Sequence, residues 1–146
     1  MGRIVVGVDG SEHSIEALRF ALAESRARQG TVEAIITWSY PATADAYGGV
    51  GFGGLDPQMF VDSARQTLER AIEDATADPD ERAAVVRTIS EGGAGHVLVE
   101  ASRGAELLVV GSRGHGGFAG LLLGSVSNQC VHHAHCPVTV IRAESH

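Results

Sequence analysis

Between Leu107 and Ser127 the chain reads LLVVGSRGHGGFAGLLLGSVS, and the residue types and spacing of this stretch suit the holding of an anion. The apolar run Leu107 to Val110 reads as a strand buried on both faces, and Gly111 and Gly114 follow it, so the turn projects from the strand's carboxyl end. After nine intervening residues come Gly124 and Ser125, which open a helix expected over about Val126 to Ala134. Glycine lets backbone N–H groups approach an anion with no Cβ in the way. A helix N-terminus adds unpaired donors and roughly half a positive charge. Two such elements facing each other would hold a polyphosphate, although a glycine cluster taken alone reads equally as a flexible loop. The order of glycines in GSRGHGG is not that of the dinucleotide fingerprint, and no Lys follows the last glycine as a Walker loop requires.

Other candidates each carry a plainer alternative. Asp9, at the exit of a buried strand, caps the next helix or shapes a turn with Gly10 as readily as it meets a ligand. Trp38 ends a strand, where a tryptophan either stacks on a base or belongs to the core. Arg113 is a solvated charge or a phosphate ligand, and Ser125 and Ser127 suit both helix capping and donation to phosphate. The run CVHHAHC, Cys130 to Cys136, invites a zinc reading. On a helix, however, Cys130 and Ala134 share a face while His132 and His133 diverge, so surface imidazoles near a helix C-terminus are expected and no metal site. Gly92 to His96, GGAGH, also resembles a phosphate turn, but its position after the third strand makes an ordinary loop the expectation. No Ser-His-Asp order or paired-carboxylate spacing marks a catalytic set.

The elements that must position these residues alternate along the chain. Strands are expected at Arg3 to Val8, Thr31 to Ser39, Arg82 to Ser90, Leu107 to Val110 and Pro137 to Arg142. Helices are expected at Glu12 to Arg28, from an Asp56 cap to about Ala77, where Pro79 stops it, and at Gly95 to Ser102 and Val126 to Ala134. Alternation of this kind implies right-handed β-α-β crossovers and a mostly parallel sheet covered on both faces, hence an α/β fold. Ligands of such sheets lie beyond the strands' carboxyl ends where strand order reverses. The stretch Tyr40 to Leu55, with its five glycines between Gly48 and Gly54, reads as a surface loop able to act as a flap.

Composition bounds the function classes. A chain of 146 residues with 44% hydrophobic and 20% charged residues is expected to form one domain, residues 1–146. Its net charge of −7 disfavours nucleic acid as a partner. No apolar run approaches the roughly 20 residues that span a bilayer, and MGRIVVGVDG reads as a strand rather than a signal segment, so a cytoplasmic location with no membrane partner is expected. The two cysteines are expected as free thiols.

The G-S-R-G stretch followed nine residues later by G-S-V-S, framed by AELLVVGSRGHGG and CPVTVIR, resembles the ATP-binding branch of the universal stress protein family, as does the opening IVVGVDGSEHSIEALRFA. The likeness covers essentially the whole chain. It implies a single three-layer α/β/α Rossmann-like domain whose five-stranded parallel sheet has the order 3-2-1-4-5, so that Asp9 faces the Gly111 turn. It further implies that Asp9 contacts the nucleoside end of ATP, that Gly7 lies under the ligand, and that main chain at Thr37, with Trp38 the next choice, meets the adenine edge. The family often has Val at that position, a departure that a backbone contact tolerates. Gly111, Arg113, Gly114, Gly124, Ser125, Val126 and Ser127 would then surround the phosphates, and Mg²⁺ would accompany them with Asp9 as the nearest acid.

The expected function is therefore a regulatory ATP-binding stress protein, working as a homodimer, in which nucleotide occupancy orders loops and changes the surface a regulatory protein partner meets. The alternatives are a slow ATPase and a partner-binding protein that needs no nucleotide. VDGSEHS lacks the S-G-G-x-D-S type of loop of pyrophosphatase-like ATP enzymes, and the intact glycines disfavour the nucleotide-independent branch.

Overall fold

Strand β1 (Arg3–Gly7) is followed by helix α1 (Glu12–Arg28), β2 (Thr31–Trp38), α2 (Pro57–Ala75), α3 (Pro79–Ala84), β3 (Val86–Glu91), α4 (Ala94–Ala101), β4 (Leu107–Gly111), α5 (Ser125–His133) and β5 (Val138–Ile141) in the computed structural model, which describes residues 2–40, 56–113 and 123–142. The strands form one five-stranded sheet in the order β3-β2-β1-β4-β5, and every neighbouring pair is parallel. From β1 the chain winds outward to β2 and β3 on one side, whereas β4 and β5 lie on the other. The order thus reverses between β1 and β4, where Val6 stands opposite Val109.

Period-two alternation divides the core into two layers. Ile4, Val6, Ala34, Ile36, Leu107 and Val109 pack on one face against Leu18 and Leu22 of α1 and Leu68 and Ile72 of α2. Val5, Ile35, Leu108 and Val110 pack on the other against Leu98 of α4 and Cys130 of α5. Both faces of the central strands are therefore buried, which is why their sequences are continuous apolar runs.

Local chemistry sets the helix ends. Ser11 caps α1 by accepting from the Ser14 amide at 3.2 Å, and Gln29 closes it in the left-handed region at φ 55°. Asp56 and Asp78 cap α2 and α3 with Pro57 and Pro79 in the first turn. The second of these corrects the expected boundaries. Asp78-Pro79 starts a short helix over part of the stretch expected as strand, so β3 begins at Val86 instead of Arg82, and α2 ends at Ala75. Pro79 acts there as a first-turn residue, where its missing N–H costs nothing. Arg87 then ties β3 to α2 through both oxygens of Glu69, at 2.7 and 3.1 Å.

Among the described residues no helix is long and apolar enough to cross a membrane.

Candidate functional site

The carboxyl ends of β1, β2 and β4, the first turns of α4 and α5, and one stripe of α2 enclose a cavity of about 460 Å³. It stands at the strand-order reversal, where neighbouring connections leave in opposite directions and a crevice opens between them. Gly7, Asp9, Thr37, Gly111, Arg113, Gly124, Ser125, Val126 and Ser127 all line it. Gly114 and the Gly48 to Gly54 stretch fall outside the described residues.

The end of β1 is shaped by a local hydrogen-bond set. Asp9 Oδ1 accepts from the Ser11 amide at 2.8 Å, and the Asp9 amide donates to Ser14 Oγ at 3.2 Å. Ser14 Oγ in turn donates to the Ser11 carbonyl at 3.0 Å. Asp9 therefore does what the plain reading held, shaping the turn into α1, while also bordering the cavity.

At β2, main-chain direction follows from the ladder. The Ile35 carbonyl accepts from Val8 at 2.8 Å and the Trp38 carbonyl from Gly92 at 2.9 Å, so odd residues address β1 and even ones β3. Thr37 turns its amide and carbonyl to the β1 side, two residues past the last paired position, Gly7 with Ile35. Trp38 is half-buried and packs against the core on the α1 and α2 face, as the plainer reading held, and it also lines the cavity.

Of the anion-cradle stretch the described residues form the end of β4, which takes in Gly111 opposite Ile141 of β5, and an open helix end. A Cβ on Gly111 would lie 2.7 Å from His13 Cβ and 2.8 Å from the His13 carbonyl carbon, so only glycine lets β4 run this close to α1. Next to it, His13 Nδ1 and Ser112 Oγ share a 2.9 Å hydrogen bond. The Ser112 carbonyl accepts from the Gly124 amide at 2.7 Å and from Ser127 Oγ at 2.8 Å, tying the start of α5 to the end of β4.

Gly124 is the N-cap of α5, and no side chain caps this helix. Its first-turn amides have no acceptor within the helix and stand at the cavity. Ser127 thus departs from the expected capping role. Its buried hydroxyl donates to the Ser112 carbonyl and, at 3.1 Å, to the Gly124 carbonyl, so it anchors the helix start.

The Cys130 to Cys136 run does not converge. Cys130 is fully buried on the inner face of α5, and burial pushes its thiol up to about 11. Cys136 is partly exposed and is raised by burial, an effect tempered by the Arg3 charge. His132 bonds back to the Asn128 carbonyl, and the His135 amide donates to Ser102 Oγ, both at 2.8 Å. Among the described residues no group of three or more His, Cys, Asp or Glu side chains is gathered as metal ligands would be.

Two walls escaped the sequence reading. Helix α2 lines the cavity with Phe60, Ser63, Ala64 and Thr67, one helical stripe, and α4 adds Ala94 and Leu98. In the sequence Phe60 and Ala64 fall at helical spacing with Leu68, Ala71 and Ile72, but nothing in a 3.6-residue period tells core from cavity wall. For α4 a signal existed: GGAGH follows β3, and Gly93 caps the helix without any side-chain bond, as Gly124 does for α5.

Known proteins resemble this chain over nearly its whole length. The model of the universal stress protein family matches residues 1–142. Universal stress protein Rv2624c of Mycobacterium tuberculosis (strain ATCC 25618 / H37Rv) is 34% identical over 149 aligned residues, covering 99% of this chain and 49% of that protein. The chain thus spans about half the length of the curated relatives it matches. Among solved structures, hypothetical protein MJ0577 superposes with a TM-score of 0.79 at 18% identity, over 99% of this chain and 98% of the other. A universal stress protein in complex with cAMP superposes with a TM-score of 0.62 at 26% identity, over 97% of this chain and 96% of that one.

Proposed function

The chain belongs to the universal stress protein family, and we propose that it is a member that binds an adenine nucleotide, ATP, as a regulatory ligand. The observation that carries this reading is the convergence, on one cavity of about 460 Å³, of an uncapped helix N-terminus, the glycine end of β4 and the main chain of Thr37 turned to the β1 side. That volume lies within the range of small-molecule sites. A structural neighbour bound to cAMP supports the adenine part of the proposal.

The residues fit the parts of the ligand. Main chain at Thr37 offers a donor and an acceptor side by side, the complement of adenine's ring nitrogen and amino group. Gly7 makes room for Leu98, whose Cδ1 lies 2.7 Å from where a Cβ would stand, and Asp9 borders the cavity where ribose hydroxyls would lie. Gly111, Gly114, Gly124, Arg113 and the amides of Ser125, Val126 and Ser127 would surround the phosphates, and Asp9 would be the acid nearest an accompanying Mg²⁺. The guanidinium of Arg113 adds the positive charge that a triphosphate asks for.

Occupancy would act as the signal. ATP favours whichever arrangement of the surrounding segments binds it best, and a regulatory protein partner reads the surface so formed. The chain is proposed to work as a cytoplasmic homodimer of single domains, each comprising residues 1–146.

Protein purified without added nucleotide and denatured for chromatography tests this directly. An adenine nucleotide, ATP or its diphosphate, is the expected finding. Protein that carries none and takes up none from a millimolar ATP solution would remove the proposal. Phosphate release far above that of a Gly124→Val variant would move the protein to the ATPase class.

A further inference from the structure

We propose, resting on the nucleotide reading above, that His13 is a positioning residue for the ligand, and that through Ser112 it braces the Asp9 wall of the cavity against the start of α5. Neither His13 nor Ser112 is among the residues that line the cavity. Whatever they do for a ligand therefore passes through other residues.

Ser112 is a junction of elements. It is 3% exposed, and its three polar groups all end on neighbours. The amide donates to the Ile141 carbonyl of β5 at 2.7 Å, while the carbonyl accepts from the Gly124 amide at 2.7 Å and from Ser127 Oγ at 2.8 Å, at the start of α5. The hydroxyl shares a 2.9 Å bond with Nδ1 of His13, in the first turn of α1. Without this last bond β4, β5 and α5 stay tied to one another, and their polar link to α1 through Ser112 is gone.

The same turn of α1 holds the opposite wall. Asp9 Oδ1 accepts from the Ser11 amide at 2.8 Å and the Asp9 amide donates to Ser14 Oγ at 3.2 Å, so the carboxylate at the cavity edge and His13 belong to one hydrogen-bonded turn. A chain of hydrogen bonds thus runs from Asp9 through α1 to Ser112 and on to the uncapped start of α5. Gly111 gives it room: a Cβ there would lie 2.7 Å from His13 Cβ, so the glycine lets the imidazole reach Ser112. Either neutral tautomer serves, because a hydroxyl both donates and accepts.

A nucleotide with its ribose at Asp9 and its phosphates at α5 spans both walls. It binds best when their separation is fixed beforehand, because ordering left to the binding step is subtracted from affinity. An anion held by α5 alone does not sense that separation.

The test is a double-mutant cycle on the whole protein. Calorimetry follows ATP and inorganic tripolyphosphate binding to wild type, His13→Ala, Ser112→Ala and the double variant, with thermal unfolding recorded alongside. The expected result is ATP weakened about fivefold in each single variant, as for the loss of one hydrogen bond, and no further in the double one. Tripolyphosphate should stay within about twofold throughout, since the Ser112 carbonyl continues to anchor α5. His13→Asn, whose side-chain amide carries a polar atom on Cγ as histidine does, should recover ATP affinity to within about twofold of wild type.

Folded single variants that bind ATP as wild type does, losses that add in the double variant, His13→Asn no better than His13→Ala, or tripolyphosphate weakened as much as ATP would each overturn the brace and leave the nucleotide site standing. Absence of any ATP heat from wild-type protein overturns both. If the variants do not fold, wild-type protein alone decides by NMR. The ring nitrogen resonances of His13 should shift when ATP is added, and those of His135, whose amide ends on Ser102, should not. An unmoved His13 in ATP-bound protein overturns the brace.

Discussion

Gly111 shows how one atom decides what this chain can build. Its missing Cβ is what lets β4 pass within contact distance of the first turn of α1, where His13 meets Ser112. A Gly111→Val substitution forces backbone apart, and overpacking of this kind costs about 1–3 kcal/mol. Denaturant unfolding should show that loss, with ATP binding reduced as well because the displaced strand end borders the cavity. At Cys130 the relevant quantity is a proton. The thiol's raised value in the folded chain, about 11 against an ordinary 9.0, means that the native state holds the proton more tightly than the unfolded state. This contribution is complete below pH 9 and is lost as pH rises toward 11. Relative to Cys130→Ala, the wild-type protein should lose stability over that window by up to about 1.4 kcal/mol per pH unit. Parallel pH profiles for the two proteins would count against this account of burial.

At the scale of elements, the site depends on how α5 is fastened. Ser127 is buried and its hydroxyl ends on the Ser112 carbonyl, so it fixes where the uncapped amides of the first turn stand. Replacing it with Ala removes one buried hydrogen bond, worth about 1 kcal/mol. Thermal unfolding should register that loss, and calorimetry should show ATP bound several-fold more weakly. An unchanged affinity would mean that the Gly124 amide alone holds the helix start.

Much of this was legible in the sequence. The run Leu107 to Val110 declared a doubly buried strand, and Gly124-Ser125 declared a helix start. Asp78-Pro79 was misread as an ending because proline stops a helix in its interior yet opens one in the first turn. Ser127 carried a serine's ordinary suitability for capping, and only the packing of α5 against the end of β4 assigns its hydroxyl to a carbonyl. The α2 stripe stayed hidden because periodicity says which face turns inward and not that a cavity lies there.

For the whole molecule, a ligand that binds only the folded state raises its stability by mass action. At a hundredfold excess over its dissociation constant the gain is about 2.7 kcal/mol, which for a domain of this size corresponds to a rise in Tm of roughly 5–10 °C. Melting curves with and without ATP should differ by that amount, and a Gly124→Val variant should show much less. The proposed homodimer predicts a sedimentation mass of two chains at working concentration. A single-chain mass would remove the dimer and leave the cavity's chemistry untouched.

The central claim is that the cavity at the strand-order reversal holds ATP, with Thr37 at one end and the start of α5 at the other. Calorimetric titration of ATP into nucleotide-stripped protein tests it most directly. The account predicts saturable binding of one ATP per chain, abolished by Gly124→Val in a variant that remains folded. Wild-type protein that gives no saturable heat, or a folded Gly124→Val protein that binds as well as wild type, would contradict it.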